Sequence, residues 1–458
     1  MKKDLTPSLS RRDFLRGSAG ALAAAGLLGP GLFLPTRSEA FPPDPFFQGV
    51  ARMVYHENPW GPHEAAVAAV REVLAKGLSG GGLNRYPDFL PYELKQAILR
   101  YNGLEGSLTP ENVILGIGSA ELLFLAADAF TSPERPFLTE WITYRIIMQR
   151  AAQNRAEVVT VPLKGWKADL DAMAAEAARA KEAGRPYGLV HFNVINNPAG
   201  TFLEQESFRA FADSLYAASP ETVVLCDDSD REYMETGLQP QLFRAAADVV
   251  EGKNMLHVQT FSHAFGLTGL RIGYGIARRD LVERLEAHRI FSGLNVPGQA
   301  AALASLRHAE EQTSRCNRLC VQSRSQLYQE LEAQGLEHLR SQGHYILINL
   351  QDLDGTLAVL QLYLQRKVFV RWGSEWDLDN WIRVNPGTEH ENRLFVDALR
   401  WLLGQRGLRG IRAAEYLSTT EGRRLAGAAV KAGFPARVVQ QARTGNHALC
   451  RTRLPAAL

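Results

Sequence analysis

From residue 113 onward, short apolar runs alternate with longer amphipathic stretches. The runs at 113–115, 137–144, 157–161, 188–193, 222–226 and 255–261 read as buried strands, and a further apolar run follows at 272–277. Between them, residues 120–130, 170–183 and 207–217 carry helical spacing, as residues 65–75 do earlier. Strands without polar alternation must be covered on both faces. The alternation therefore predicts an α/β fold, a mostly parallel sheet with helices on both sides. Ligands of such sheets bind at the carboxyl ends of the strands. Residues 281–334 read as helical, and 336–350 lead into a smaller C-terminal α+β domain whose first strand is expected at 343–348.

The two ends of the chain do not follow this pattern. Ser10-Arg11-Arg12-Asp13-Phe14-Leu15-Arg16 precedes an Ala/Gly/Leu run, and Ser38-Glu39-Ala40 supplies a small-x-small cleavage site. That combination reads as a twin-arginine signal over residues 1–40. It predicts export of an already folded protein by the twin-arginine machinery, cleavage near Ala40, and a soluble periplasmic or extracellular product. Residues 41–110 follow as an N-terminal arm and part of a small domain, 111–330 as the large domain and 331–405 as the C-terminal small domain. Residues 406–458 form a basic tail: from 407 on, nine Lys or Arg face only Glu415 and Glu421, and a poorly ordered segment is expected.

With 51 Lys and Arg against 49 Asp and Glu, the chain carries no charge excess that would call for nucleic acid or anionic lipid as a partner. The four cysteines form no metal-like cluster. Cys226 lies in an apolar strand, while Cys316 and Cys320 sit four apart in a helical stretch.

The chemistry concentrates at turns. Residues 260–277 read TFSHAFGLTGLRIGYGIA, a loop with Ser262, His263, Gly266, Gly269, Arg271 and Gly273. A hydroxyl, a guanidinium and backbone N–H groups on one tight turn suit a phosphate monoester. Gly116-Ile117-Gly118-Ser119 joins a strand to a helix and offers free N–H groups to an anion. Asn196-Asn197-Pro198-Ala199-Gly200-Thr201 is a good turn in its own right. Asp227, Asp228 and Asp230 follow another strand, and Arg383 lies on a late one, where a planar guanidinium suits a carboxylate.

Taken together, these segments resemble the fold-type I pyridoxal-phosphate (PLP) enzymes, above all the histidinol-phosphate aminotransferase-like group of the class I/II aminotransferases. The resemblance covers residues 50–405. It rests on the loop pattern Ser-Lys-x-x-Gly-x-x-Gly-x-Arg-x-Gly, on Arg85-Tyr86-Pro87-Asp88, on the Asn197 turn and on the Arg383 strand. It implies a PLP-dependent transferase-like fold and PLP, or its amine form pyridoxamine phosphate, as cofactor. Gly118, Ser119, Ser262 and Arg271 would hold the phosphate. Tyr144 would stack on the ring, Asn197 would meet the phenolic oxygen and Asp227 the ring nitrogen. Asn58, Arg371 and Arg383 would bind an amino-acid-like substrate. A homodimer is implied as well, because Tyr86 would reach the cofactor phosphate in the partner's site.

Three of the departures from the family pattern bear on the centre of the site. His56 takes the first Asn place of Asn-Glu-Asn-Pro-x-Gly-Pro, Asp230 replaces a tyrosine that touches the phenolic oxygen, and His263 stands where the cofactor lysine belongs. Imidazole cannot hold PLP covalently, but it can move protons near neutral pH. Three alternatives follow: an elimination or dehydration with His263 as base and a noncovalently held cofactor, a catalytically silent binding relative, or a metal site at Asp227, Asp230 and His263. A sugar-dehydratase branch of the superfamily carries the same lysine-to-histidine change. Lys253, at the start of the 255–261 strand, is not placed to substitute.

Overall fold

The computed structural model describes residues 49–77, 83–290 and 293–444. The twin-arginine motif, residues 41–48, most of the Gly-rich loop at 77–82 and residues 445–458 lie outside them. All of the structure described below belongs to the unit Gly49–Leu458.

In chain order the strands are β1 (Ala51–Arg52), β2 (Val113–Gly116), β3 (Phe137–Trp141), β4 (Val158–Pro162), β5 (Leu189–Asn193), β6 (Val223–Asp227), β7 (Met255–Thr260), β8 (Gly273–Ala277), β9 (Ile346–Asn349), β10 (Val368–Phe369), β11 (Arg371–Trp372) and β12 (Trp381–Val384). Seven of them form one sheet in the order β2-β8-β7-β6-β5-β3-β4. Its β4–β3, β3–β5, β5–β6 and β6–β7 pairs are parallel, whereas β8 runs antiparallel to both β7 and β2. The expected mostly parallel sheet is therefore present, with β8 as its antiparallel member.

The sheet is apolar on both faces because successive side chains point to opposite sides. Along β6, Val223 and Leu225 belong to one core cluster and Val224 and Cys226 to the other. Burying both sets of side chains, at roughly 25 cal/mol per Å² of apolar surface, is what holds the helices against the sheet. A smaller antiparallel sheet, β11-β12-β9, forms the C-terminal part, and β1 pairs with β10 in parallel. In that small sheet β9 begins at Ile346, later than the apolar run at 343–348 suggests. Gly343 and His344 instead lie in the preceding turn, where the Gly343 carbonyl accepts from Arg324 Nη1 at 2.7 Å.

The expectation of a poorly ordered tail fails for residues 413–444. Three helices, Ala413–Ser418, Thr420–Lys431 and Ala436–Thr444, pack with Leu417, Ala426, Ala429, Phe434, Val438, Val439 and Ala442 buried. Phe434 is the anchor, its ring lying 5.5 Å from Tyr363, 5.4 Å from Phe369 and 6.0 Å from Trp372. The basic residues dominate the sequence of this segment, but apart from Arg437, which reaches the cavity described below, they decorate the outer faces of short amphipathic helices whose apolar residues are few and well spaced. Among the described residues no helix is long and apolar enough to cross a membrane.

Candidate functional site

At the carboxyl ends of β5, β6 and β7 lies a cavity of about 590 Å³. Ten of the thirteen residues singled out from the sequence line it: Ser119, Tyr144, Asn197, Asp227, Asp230, Ser262, His263, Arg271, Arg371 and Arg383. No lysine is among its lining residues. Lys253, at the opposite end of β7, is tied down by Asp213 at 2.9 Å, Glu251 at 3.1 Å and Asp248 at 3.5 Å.

One end of the cavity is a nest of donors. The helix Gly118–Phe130 begins there with no side-chain cap on its first N–H groups, so their partial positive charge is available to an anion. Arg271, in the left-handed backbone region at φ 49°, donates from Nη1 to the Thr268 carbonyl at 2.9 Å and lies 3.4 Å from Ser262 Oγ. Gly118 does not line the cavity itself, but it makes this arrangement possible. Its φ is 70°, and a Cβ there would sit 2.4 Å from Arg271 Nη2. Gly273 is constrained in the same way, since a Cβ on it would lie 2.5 Å from the Ser119 nitrogen. Both glycines keep the guanidinium, the Ser119 loop and the β8 backbone within contact of one another.

Across the cavity, Asp227 ends β6 and takes a short hydrogen bond from the Ser229 hydroxyl. Burial pushes its carboxyl up to about 6, against the lowering effect of that bond. Arg383 donates to Asn197 Oδ1 at 2.6 Å and to the Val54 carbonyl at 3.1 Å, and its Nε is buried without a partner among the described residues. Its guanidinium lies over the rings of Tyr345 and Trp376, at 5.4 and 5.5 Å. Burial lowers the Arg383 pKa to about 10, so the group stays cationic at neutral pH.

The three departures from the family pattern meet in the middle. His56 Nε2 lies 2.8 Å from Asp230 Oδ1, His263 Nδ1 lies 3.5 Å from the same oxygen, and the two imidazole rings stack at 3.9 Å. Tyr345 donates its hydroxyl to Asp230 Oδ2 at 3.3 Å. Two stacked imidazolium ions would repel each other, so only one ring carries the charge. Burial drives His56 down to about 4, more strongly than the neighbouring carboxylate lifts it, and His56 is neutral. Burial also disfavours charge on His263, but the hydrogen bond and charge of Asp230 outweigh it, and the His263 pKa is raised. Asp230, with burial opposed by both histidines, is held well below the usual carboxylate range.

The tautomer of His263 follows from its partners. Nδ1 is 3.0 Å from the Ser229 carbonyl, which can only accept, so Nδ1 carries a hydrogen. Nε2 has no hydrogen-bond partner among the described residues and is the basic nitrogen when the ring is neutral. The same assignment weighs against a metal on Nδ1. The metal alternative drawn from the sequence also needs correcting in its residues: His56, Asp230 and His263 bring their donor atoms within 4.8 Å of one another, while Asp227 stands outside that cluster.

Three sequence expectations do not place residues in this cavity. Asn58 is not in the lining; its amide donates to the Ala264 carbonyl at 3.0 Å and its Oδ1 accepts from Trp60 N at 2.9 Å. It fastens the 58–61 turn to the His263 loop. Tyr86 is 75 % exposed and outside the cavity, and Gly118 acts through the space it leaves. Arg371 lines the cavity but is already paired with Glu375, which accepts from its Nη2 at 2.8 Å.

Sequence reasoning missed Arg145, Glu375 and Trp376 in the lining, as well as Arg437, Val438 and Gln441 from the last helix. None stands in a recognisable motif. The only available signal was the Arg371–Glu375 spacing of four, which becomes meaningful once the 310 turn Gly373–Trp376 is seen.

A family model for class I and II aminotransferases matches residues 56–399. The chain is 31 % identical to histidinol-phosphate aminotransferase 1 of Cupriavidus pinatubonensis over 355 residues, covering 77 % of this chain and 88 % of that protein. It is 32 % identical to histidinol-phosphate aminotransferase 2 of Ralstonia nicotianae over 359 residues, covering 78 % and 89 %. Among solved structures, histidinol-phosphate aminotransferase of Sinorhizobium meliloti in complex with pyridoxal-5'-phosphate superposes with a TM-score of 0.69 at 23 % identity. That superposition spans 81 % of this chain and 98 % of the other.

Proposed function

The chain belongs to the class I and II aminotransferase family, and on that premise we propose that it holds pyridoxal phosphate or pyridoxamine phosphate without a covalent lysine link and uses His263 as the base of a proton-transfer reaction, an elimination or dehydration, on an amino-acid-like substrate. The observation that carries the reading is the convergence of His56, Asp230 and His263 on one point of a cavity that no lysine among the described residues lines.

The residues present fit such a cofactor. The donor nest around Arg271 is kept open by two glycines whose Cβ atoms would fill it, and it suits a dianionic phosphate. Asp227, raised to about 6 by burial, lacks a cationic partner that a protonated ring nitrogen would supply. Asn197 and Tyr144 flank the space between these two ends. When bound in its aldehyde form, pyridoxal phosphate, the cofactor would withdraw electrons from the substrate carbon beside the amino group and so acidify its C–H bond.

The chain's own residues would then do the rest. Arg383 offers its guanidinium to an α-carboxylate. The Ser229 carbonyl fixes Nδ1–H of His263 and leaves Nε2 as the acceptor, while the Asp230 carboxylate beside the ring favours its protonated form. His263 Nε2 takes the α-proton. The electron pair of that C–H bond becomes part of a new double bond, and a leaving group on the adjacent carbon departs with its own bonding pair, receiving the proton from His263. Transamination needs in addition an amine that returns to the cofactor between half-reactions, and His263 cannot supply it.

A homodimer is part of the proposal. Tyr86, Phe89 and Leu90 on one loop and Tyr92 at the start of the next helix are exposed by 50–75 %, which supports a covered surface there, with Tyr86 serving the partner's site. Export by the twin-arginine route is also proposed on the sequence of residues 10–40, and cell fractionation tests it. The reaction is tested by incubating the PLP-loaded protein with L-amino acids in D2O and following the α-proton by NMR. Loss of the α-proton signal without amino transfer to 2-oxoglutarate is the expected result. A loaded protein that exchanges no α-proton is a silent binding relative instead.

A further inference from the structure

Helix Ala436–Thr444 lies beyond the family match, which ends at residue 399, yet it forms part of the cavity wall through Arg437, Val438 and Gln441. It is held there. Phe434, just before it, packs on Trp372 of β11, which is itself a cavity residue. The Tyr363 hydroxyl donates to the Ala432 carbonyl, and further back the Ala413 N–H donates to Asp354 Oδ2 at 3.0 Å. The wall is therefore fixed to the small domain by both packing and hydrogen bonds.

Its charge is uncompensated. Of the five arginines lining the cavity, Arg271 belongs to the phosphate nest, Arg383 faces Asn197 and Arg371 is neutralised by Glu375. Arg145 donates to the main-chain carbonyl of Glu375, and neither it nor Arg437 pairs with a carboxylate among the described residues. Val438 is buried beside Arg437, while Gln441 is half-buried and contributes an amide to the same wall. A cavity that has already assigned one arginine to a phosphate and one to an α-carboxylate thus keeps two more guanidinium groups, one of them on a segment outside the family match.

We propose that helix Ala436–Thr444 is a specificity element whose Arg437 and Gln441 contact the end of the substrate remote from its amino group, selecting amino-acid-like molecules that carry a second anionic group there. This rests on the reading of the cavity as an amino-acid site. A free guanidinium at the wall attracts a carboxylate or phosphate and gains nothing from a neutral end, so the preference is set by charge.

Isothermal titration of the full-length protein, with and without added PLP, tests it with O-phospho-L-serine, L-glutamate and L-glutamine as probes. The wild type is expected to bind the two anionic probes about tenfold tighter than glutamine, as one charge-assisted contact implies. R437A should abolish that preference, R437E should invert it and R437K should keep part of it, with glutamine binding and the thermal midpoint unchanged. The ratio between O-phospho-L-serine and L-glutamate distinguishes a phosphate from a carboxylate as the favoured group. A preference that survives R437A and R437E overturns the role of the helix, even if absorbance shows that PLP binds normally. A preference that vanishes in R437A while no form of the protein retains PLP supports the helix and removes the cofactor reading.

Discussion

The two ends of the cavity have been built in different ways. At the proposed phosphate nest, Gly118, Ser119, Ser262, Arg271 and Gly273 match the pattern of the resemblance, and the structure shows why the glycines matter: a side chain on either would collide with the guanidinium or the Ser119 backbone. At the reactive centre, three departures scattered over more than 200 residues of sequence, His56, Asp230 and His263, come within contact of one another. Random drift would scatter changes over the cavity and leave buried charges unpaired, which is costly. Here the Asp230 carboxylate and the two imidazoles lie against one another and account for each other's protonation. On the proposed function, one end holds the cofactor phosphate while the other carries a histidine base where the family pattern has its lysine.

The largest effect expected is at the reactive centre. H263A should reduce α-proton exchange by a factor of about 10²–10⁴, the usual contribution of a positioned acid–base group, while cofactor affinity stays close to that of the wild type. Unchanged exchange would remove His263 from the role of base. At the other end the pattern should reverse. G118A, strained at φ 70° and clashing with Arg271, should weaken PLP retention by about 100-fold in equilibrium dialysis, since it displaces a charged donor of the phosphate. If G118A bound PLP normally, the nest would not be the phosphate site.

The coupling itself is tested by pH. On the proposed mechanism neutral His263 is the base; its pKa is raised by Asp230, so exchange should increase as pH rises through that raised value. D230N removes the charge and should move this acid limb down by about one pH unit. Stability follows the same linkage with the opposite preference. The contribution from His263 is fully present below its ordinary 6.5 and is lost as pH rises through the raised pKa. That from Asp230 is present above its ordinary 3.8 and is lost as pH falls through the lowered one. The stability difference between wild type and D230N, from urea denaturation, should therefore be fully developed between pH 3.8 and 6.5 and decline on either side, through the lowered Asp230 value below and the raised His263 value above. The smallest effect belongs to His56. As a neutral ring it offers contact without charge, so H56A should change exchange by less than about tenfold and leave the acid limb in place.

Much of this was legible from the residues alone. Apolar runs gave the sheet strands because strands buried on both faces leave no ambiguity of period, and the glycine-spaced loop at 260–277 gave the anion nest because its donors are adjacent in sequence. What sequence could not supply was convergence. The approach of His56 to Asp230 and His263 depends on how the 54–60 segment crosses the sheet ends, and no local spacing encodes that. The tail was misread for a related reason. Its charges are local and visible, whereas the pocket that takes Phe434 is assembled from Tyr363, Phe369 and Trp372. Asn58 was drawn into the site by its motif, but its amide is spent on the Ala264 carbonyl and the turn at Trp60.

The most direct test of a cofactor site without a lysine link is reductive trapping. The protein purified with PLP is desalted, treated with borohydride, denatured and examined by mass spectrometry, with H263K alongside. The account predicts that wild type retains PLP through desalting and releases all of it on denaturation. H263K, with the nest intact, should instead carry a phosphopyridoxyl group on the new lysine. A reduced adduct on any lysine of the wild type, or a wild type that retains no PLP, would contradict it.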